Sequence, residues 1–144
     1  MKKISFLTIP FIFFAYLVVS CDKNSIDDIN HLNGYWEIDV VRAHGEEFVP
    51  KKPAPLVDYY QVVESNKGWK KKMAPQVMGE YQSSDAVVYF TLEQEGSQWL
   101  IYYRDNLSSW KEEIITLNDN TLVLFQEEKY YHYKRHQKQT LNKR

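Results

Sequence analysis

Cysteine is nearly missing from this chain of 144 residues: the one it has is Cys21. No disulfide can form within it, so whatever folds must rest on its core alone. Glycine is sparse, five residues placed singly, and no Gly-rich stretch is present to cradle a phosphate. A basic excess is also lacking. The 18 Lys+Arg against 19 Asp+Glu give a formal charge of −1, which is no footprint for nucleic acid. There is no HExxH pattern and no cysteine ligand set. The four histidines are His31, His44, His132 and His136; on a strand, the last two would share a face about 13 Å apart, too far for one metal ion. Asp27–Asp28 and Glu112–Glu113 are sequence neighbours whose side chains diverge, so they read as solvated charge rather than an acid–base couple. Ser97 lies in a Gly-Ser-Gln turn, not in a nucleophile elbow. These absences point away from an enzyme, a metal centre and a cofactor.

Long apolar runs are absent after the first twenty residues. Lys2 and Lys3 precede the uncharged stretch Ile4 to Ser20, the layout of a secretory signal peptide. Seventeen residues lie at the short limit of a membrane span, about 17–25, and Pro10 breaks a single helix. Residues 1–20 are therefore expected to be removed. Val18-Val19-Ser20 before Cys21 resembles the bacterial lipobox, with Val18 where a Leu is usual. The resemblance implies that the Cys21 thiol receives a diacylglycerol, that the peptide is cut before it, and that the new amine is acylated with a palmitate-type chain. Lipidation also accounts for an odd thiol in an exported protein. One acyl chain binds a bilayer marginally, at about 0.8 kcal/mol per buried CH2, whereas several hold firmly. The implied location is the cell envelope, with the outer membrane preferred over the inner and the N-terminal lipid as the membrane contact. Loss of residues 1–20 takes away two lysines and no acid, leaving a formal charge of −3.

What is there, beyond residue 33, is strand after strand. Residues 21–33 read as a lipidated polar tether and a short helical turn, capped at Ser25 with Asp28, with Ile26, Ile29 and Leu32 on one side. In "GYWEIDVVRA" the alternation places Trp36, Ile38, Val40 and Arg42 on one face. Pro50, Pro53 and Pro55 make the next segment a long loop. "VDYYQVVES" and "GWKKKMA" flank "NKG", a hairpin turn. "MGEYQSS" is a weaker strand; "AVVYFTLEQ" and "QWLIYYRD" are strong ones joined at Glu95–Gly96–Ser97. "WKEEIITL", "TLVLFQEE" and "YYHYKRH" complete the series, with a turn at Asn118–Asp119–Asn120. Eight or nine short strands at even spacing predict an all-β antiparallel sandwich or barrel over residues 34–136, followed by a polar tail, 137–144.

The stretch "LNGYWEIDVVRAHGEEF", with Gly34 and Trp36 opening the first strand, resembles the start of lipocalin-like domains. Asp58–Tyr59–Tyr60, Gly68–Trp69 and Lys134–Arg135 follow in the order seen in small lipocalin-like lipoproteins of Gram-negative bacteria. The resemblance covers about residues 32–135. It implies a small antiparallel barrel of about eight strands in which Arg135, or Lys134 as its competitor, packs over Trp36 and closes the base. A guanidinium over an indole gains about 0.5–2 kcal/mol. It also implies a small hydrophobic ligand in the barrel mouth, held by desolvation at about 25 cal/mol per Å2. Trp69, Trp99, Tyr103 and Trp110 are the expected lining. The alternative is a filled barrel that serves as an envelope protein-interaction or inhibitor module, with exposed tyrosines and the Pro-rich loop as its contact surface. Lys70–Lys71–Lys72 reads as a solvated face, or as a contact for anionic headgroups.

Overall fold

The computed structural model describes residues 25–51, 56–76 and 79–137. The expected leader 1–20, Cys21, Pro53 and Pro55 of the loop, and all but the first residue of the polar tail lie outside the described residues.

Eleven strands occur among the described residues: β1 (Ser25–Ile26), β2 (Gly34–Ala43), β3 (Glu46–Phe48), β4 (Val57–Val62), β5 (Lys67–Pro75), β6 (Tyr81–Ser83), β7 (Val88–Glu95), β8 (Gln98–Arg104), β9 (Ser109–Leu117), β10 (Thr121–Gln126) and β11 (Lys129–Arg135). Eight of them, β2, β4, β5, β7, β8, β9, β10 and β11, pair in that order, each antiparallel to the next, and β11 returns to β2. The result is a closed up-and-down barrel, so the expectation of an all-β, lipocalin-like barrel of about eight strands is borne out. β3 and β6 are short flaps on β2 and β5. β1 runs parallel to the end of β9, Ser25 opposite Thr116, on ladder positions past the start of β8. No described helix is long and apolar enough to cross a membrane.

The turns follow from local chemistry. Consecutive positive-φ residues at His44–Gly45, Ser65–Asn66 and Glu127–Glu128 close two-residue hairpins, whose mirror-image turns match the twist of the flanking strands. The second of these corrects the expected "NKG" turn. It sits earlier, with the Lys67 amide donating to the Glu64 carbonyl at 3.0 Å, and Gly68 becomes part of the sheet.

Side-chain direction alternates along each strand, and β2 breaks the rule once. A bulge opposite His132 and Tyr133 leaves Asp39 unpaired. Trp36 and Ile38 face inward as expected, but past the bulge the inward residue is Val41 rather than Val40. Arg42 turns outward to Glu47, its Nε 2.7 Å from a carboxylate oxygen. An extra residue in one strand exchanges its faces.

The core is built from Trp36, Tyr60, Leu92, Ile101, Ile114 and Leu122 with their neighbours, all essentially inaccessible. The described residues thus hold a closed ladder and its own core. The connections alternate between two ends. The turns 62–67, 95–98 and 117–121, together with the 3-10 turn Ile29–Leu32, form the closed end. That turn is capped by Asp28, which accepts from the Asn30 amide at 2.8 Å, instead of by Ser25, which is drawn into β1. The longer connections 43–57, 75–88 and 104–109 form the open end.

Candidate functional site

Two inward-facing clusters stand out, one at each end of the barrel. At the closed end Trp36 is fully buried, and its Nε1 donates to the Leu32 carbonyl at 2.8 Å. The Arg135 guanidinium lies 3.8 Å from the centre of the Trp36 ring. Its three nitrogens donate to three carbonyls: Asp119 at 2.8 Å, Asn33 at 2.6 Å and His31 at 2.6 Å. Two chain segments, 31–33 and the turn at Asp119, are therefore tied to one planar fork carried by β11. Gly34, at φ +118°, is held where a Cβ would stand 2.8 Å from Arg135 Nη1. Lys134, the competitor, points the other way and reaches Asp39 at 3.0 Å.

The open end carries charge on its inner face. β5 places Gly68, Lys70 and Lys72 inward, where they sit opposite Phe90, Val88 and Asp58 of the neighbouring strands. Asp58 is buried and takes the Lys72 ammonium at 2.6 Å. Glu112, on β9, is buried among apolar side chains and accepts from the Tyr103 hydroxyl at 2.6 Å. Tyr103 and Tyr60 are 3.3 Å apart at their oxygens, and the Lys70 ammonium lies 3.3 Å from the Tyr60 oxygen. Since the Tyr103 proton is engaged by Glu112, Tyr60 donates to Tyr103 and accepts from Lys70. The chain ammonium–hydroxyl–hydroxyl–carboxylate thus runs in one direction, positive to negative. Lys70 also lies 5.3 Å from the Tyr60 ring centre and 4.5 Å from that of Tyr103.

Burial sets the protonation of this group. It pushes the Tyr60 hydroxyl well up from its ordinary value, with Tyr103 and Glu112 adding to the effect. It does the same to Tyr103, where the adjacent Glu112 carboxylate comes next, and to Tyr133, where Asp58 does. All three stay neutral at neutral pH.

The four expected lining residues do not meet. Tyr103 and Trp110 do come together on the inner wall, stacked at 5.1 Å. Trp99 is inward as well, yet it sits one residue past the turn of the closed end. Trp69 has to be corrected: between inward Gly68 and Lys70 it must face outward, where it packs on Tyr59 at 5.4 Å. Val88, Phe90 and Leu92 share the inner face.

The sequence reading missed Lys70, Lys72, Asp58 and Glu112, all taken as outside charge or left unassigned. Alternation would have found them. Asp58 stands two before Tyr60, and Glu112 lies between Trp110 and Ile114, so each shares a face with large apolar neighbours. Glu113 points out and accepts from Gln98 at 2.9 Å. Among the described residues, no three of His, Cys, Asp and Glu stand together to hold a metal ion.

Around the open end, the connections and strand starts expose large apolar side chains: Phe48, Val49, Leu56, Tyr89, Leu107 and Tyr130. A groove of about 540 Å3 runs between 85–89 and 104–107 on this rim, with Val87, Tyr89, Arg104 and Leu107 in its walls.

No family model matches the chain, and no curated protein matches it. Among solved structures it is similar to a lipocalin-like protein from Bacteroides uniformis ATCC 8492, known from a crystal structure. The two are 12% identical with a TM-score of 0.46, over 74% of this chain and 99% of the other.

Proposed function

We propose that this chain is a lipid-anchored cell-envelope protein whose lipocalin-like barrel binds a small hydrophobic ligand at its open end. The observation that carries the binding half is the asymmetry of the barrel. Its lower interior is filled by Trp36, Tyr60, Ile101 and Ile114, while Val88, Trp110 and Tyr131 remain partly open beneath a rim of exposed apolar side chains. Apolar side chains held at a concave mouth with a few convergent polar groups make a binding site for small molecules. The experiment is native mass spectrometry of residues 22–144 purified without detergent. Co-purifying small molecules are expected, and a uniformly bare mass counts against the reading.

The anchoring half is supported by Lys2 and Lys3, the uncharged run to Ser20, and the position of Cys21 directly after it. Incorporation of labelled palmitate that disappears in Cys21→Ala is the expected result; equal labelling of both versions overturns it. Four Cα-to-Cα steps separate Cys21 from Ser25, a reach of about 14 Å at most. Because Ser25 pairs with Thr116 at the closed end, the base of an anchored barrel faces the bilayer and the mouth opens away from it.

The second reading is a protein-interaction module, favoured by the same filled base. In that reading the rim side chains Phe48, Tyr89 and Leu107 are the contact surface. Cross-linking from the rim to an envelope protein, with no small molecule in the native mass, selects it.

A further inference from the structure

Lys70 is a charge set well inside the barrel whose partners among the described residues do not account for it. Lys72 is matched by Asp58, and Arg135 by three carbonyls. Lys70 has among the described residues a single acceptor, the Tyr60 hydroxyl at a long 3.3 Å, plus two ring faces. An ammonium has three donors. Its surroundings are apolar and only partly open to water: Val88 sits opposite, and Tyr60 and Tyr103 lie beneath. Holding a cation there costs solvation that ring faces and one hydroxyl recover incompletely.

The two carboxylates on the inner wall do not fill the gap. Asp58 is occupied by Lys72, and Glu112 is separated from Lys70 by the two hydroxyls that relay between them. The donors that remain on Lys70 have only the mouth to face. Lys72 stands on the same face of β5 two residues nearer the opening, about 7 Å along the strand. Lys129 occupies the inner face of β11 at the rim, opposite Ala43. Positive charge is thus layered from the rim inward, with exposed apolar residues outside it.

We infer that the mouth takes an amphipathic acid, its anionic head on the Lys70 ammonium and its apolar body against Trp110, Val88 and the rim. This rests on the ligand-binding reading of the barrel and adds the chemical class. An ammonium–carboxylate bond made in a partly desolvated site is strong and charge-assisted, and an alcohol of equal length cannot reproduce it.

The test is calorimetric titration of residues 22–144 with dodecanoate, monododecyl phosphate and 1-dodecanol, each kept below its micelle concentration. Fluorescence of the tryptophans serves as a second readout. Dodecanoate is expected to bind at least about tenfold more tightly than dodecanol, and Lys70→Met to erase that preference. Lys70→Arg, which keeps the charge, should retain it, and the circular dichroism of both variants shows whether the barrel is intact. If acid and alcohol bind equally, or if Lys70→Met keeps the preference, the anionic head is overturned and the binding mouth stands. If none of the three binds, both fall. Tighter binding of the phosphate than of the carboxylate identifies the head as a phosphate.

Discussion

The Arg135 guanidinium and the Trp36 ring sit face to face at 3.8 Å, and each is also bonded to the segment that precedes β2. Arg135 holds the carbonyls of His31 and Asn33; Trp36 holds that of Leu32. The pair therefore does more than gain cation–π energy. It fastens the 3-10 turn across the barrel base.

Arg135→Ala should destabilise the protein by about 1–3 kcal/mol, since it removes the ring contact and leaves two part-buried carbonyls without donors. Arg135→Lys should recover less than half, because an ammonium cannot serve three diverging carbonyls at once. Urea denaturation of the three proteins measures this, and an alanine variant within about 0.5 kcal/mol of the parent would refute the fastening role.

Two glycines should resist replacement for different reasons. Gly34→Ala meets both a positive φ and Arg135 Nη1, and should cost about 1–3 kcal/mol. Gly68→Ala drives a methyl into the Gln61 carbonyl and the Phe90 ring. It should cost about 3 kcal/mol, and Phe90→Leu in the same protein should recover only the ring's share, because the Gln61 carbonyl is backbone and stays in place. Thermal unfolding of the single and double variants decides.

The buried tyrosines predict alkaline sensitivity. Tyr60, Tyr103 and Tyr133 all have raised values when folded. Above about pH 10 the unfolded chain releases their protons and the folded chain keeps them, so stability is whole below that pH and is lost as pH rises past it. Replacing Tyr60 by Phe should lessen the slope of stability against pH by about 1.4 kcal/mol per unit above pH 10. Urea midpoints, followed alongside tyrosinate absorbance, report it; an unchanged slope contradicts the assignment.

Glu112 should depend on its hydroxyl partner. Tyr103→Phe leaves a buried carboxylate short of one bond and should cost about 1–3 kcal/mol. Adding Glu112→Gln should restore part of that loss, a coupling that a double-mutant cycle reads directly.

Trp69, by contrast, is outside the barrel. Trp69→Ala should cost no more than about 1.5 kcal/mol, the worth of its tilted ring contact with Tyr59, and should leave any ligand titration unaltered.

The architecture was legible because alternation is a local signal. Trp36 and Ile38 on β2, Val88–Phe90–Leu92 on β7 and Trp99–Ile101–Tyr103 on β8 face inward as their spacing predicts. Alternation fails where a single residue is added. The bulge at Asp39 exchanged Val40 for Val41, and the early turn at Ser65–Asn66 put Gly68, not Trp69, on the inner face. The charged mouth stayed hidden for another reason. Three lysines in a row read as a water-facing surface, yet a strand sends the outer two of such a triplet to one side and the middle one to the other. Here the outer two point inward.

A sheet rolled until its last strand meets its first offers no row of free amides to a visiting chain. Among the described residues, the closed main ladder has no free edge strand for a second molecule or an extended peptide to lengthen, and the three-residue flaps and the two-residue strand beside β9 are the short strands that retain an open side. Anything that meets this protein must therefore read its loops and side chains, and crowding many copies on one surface carries little risk of their zipping together.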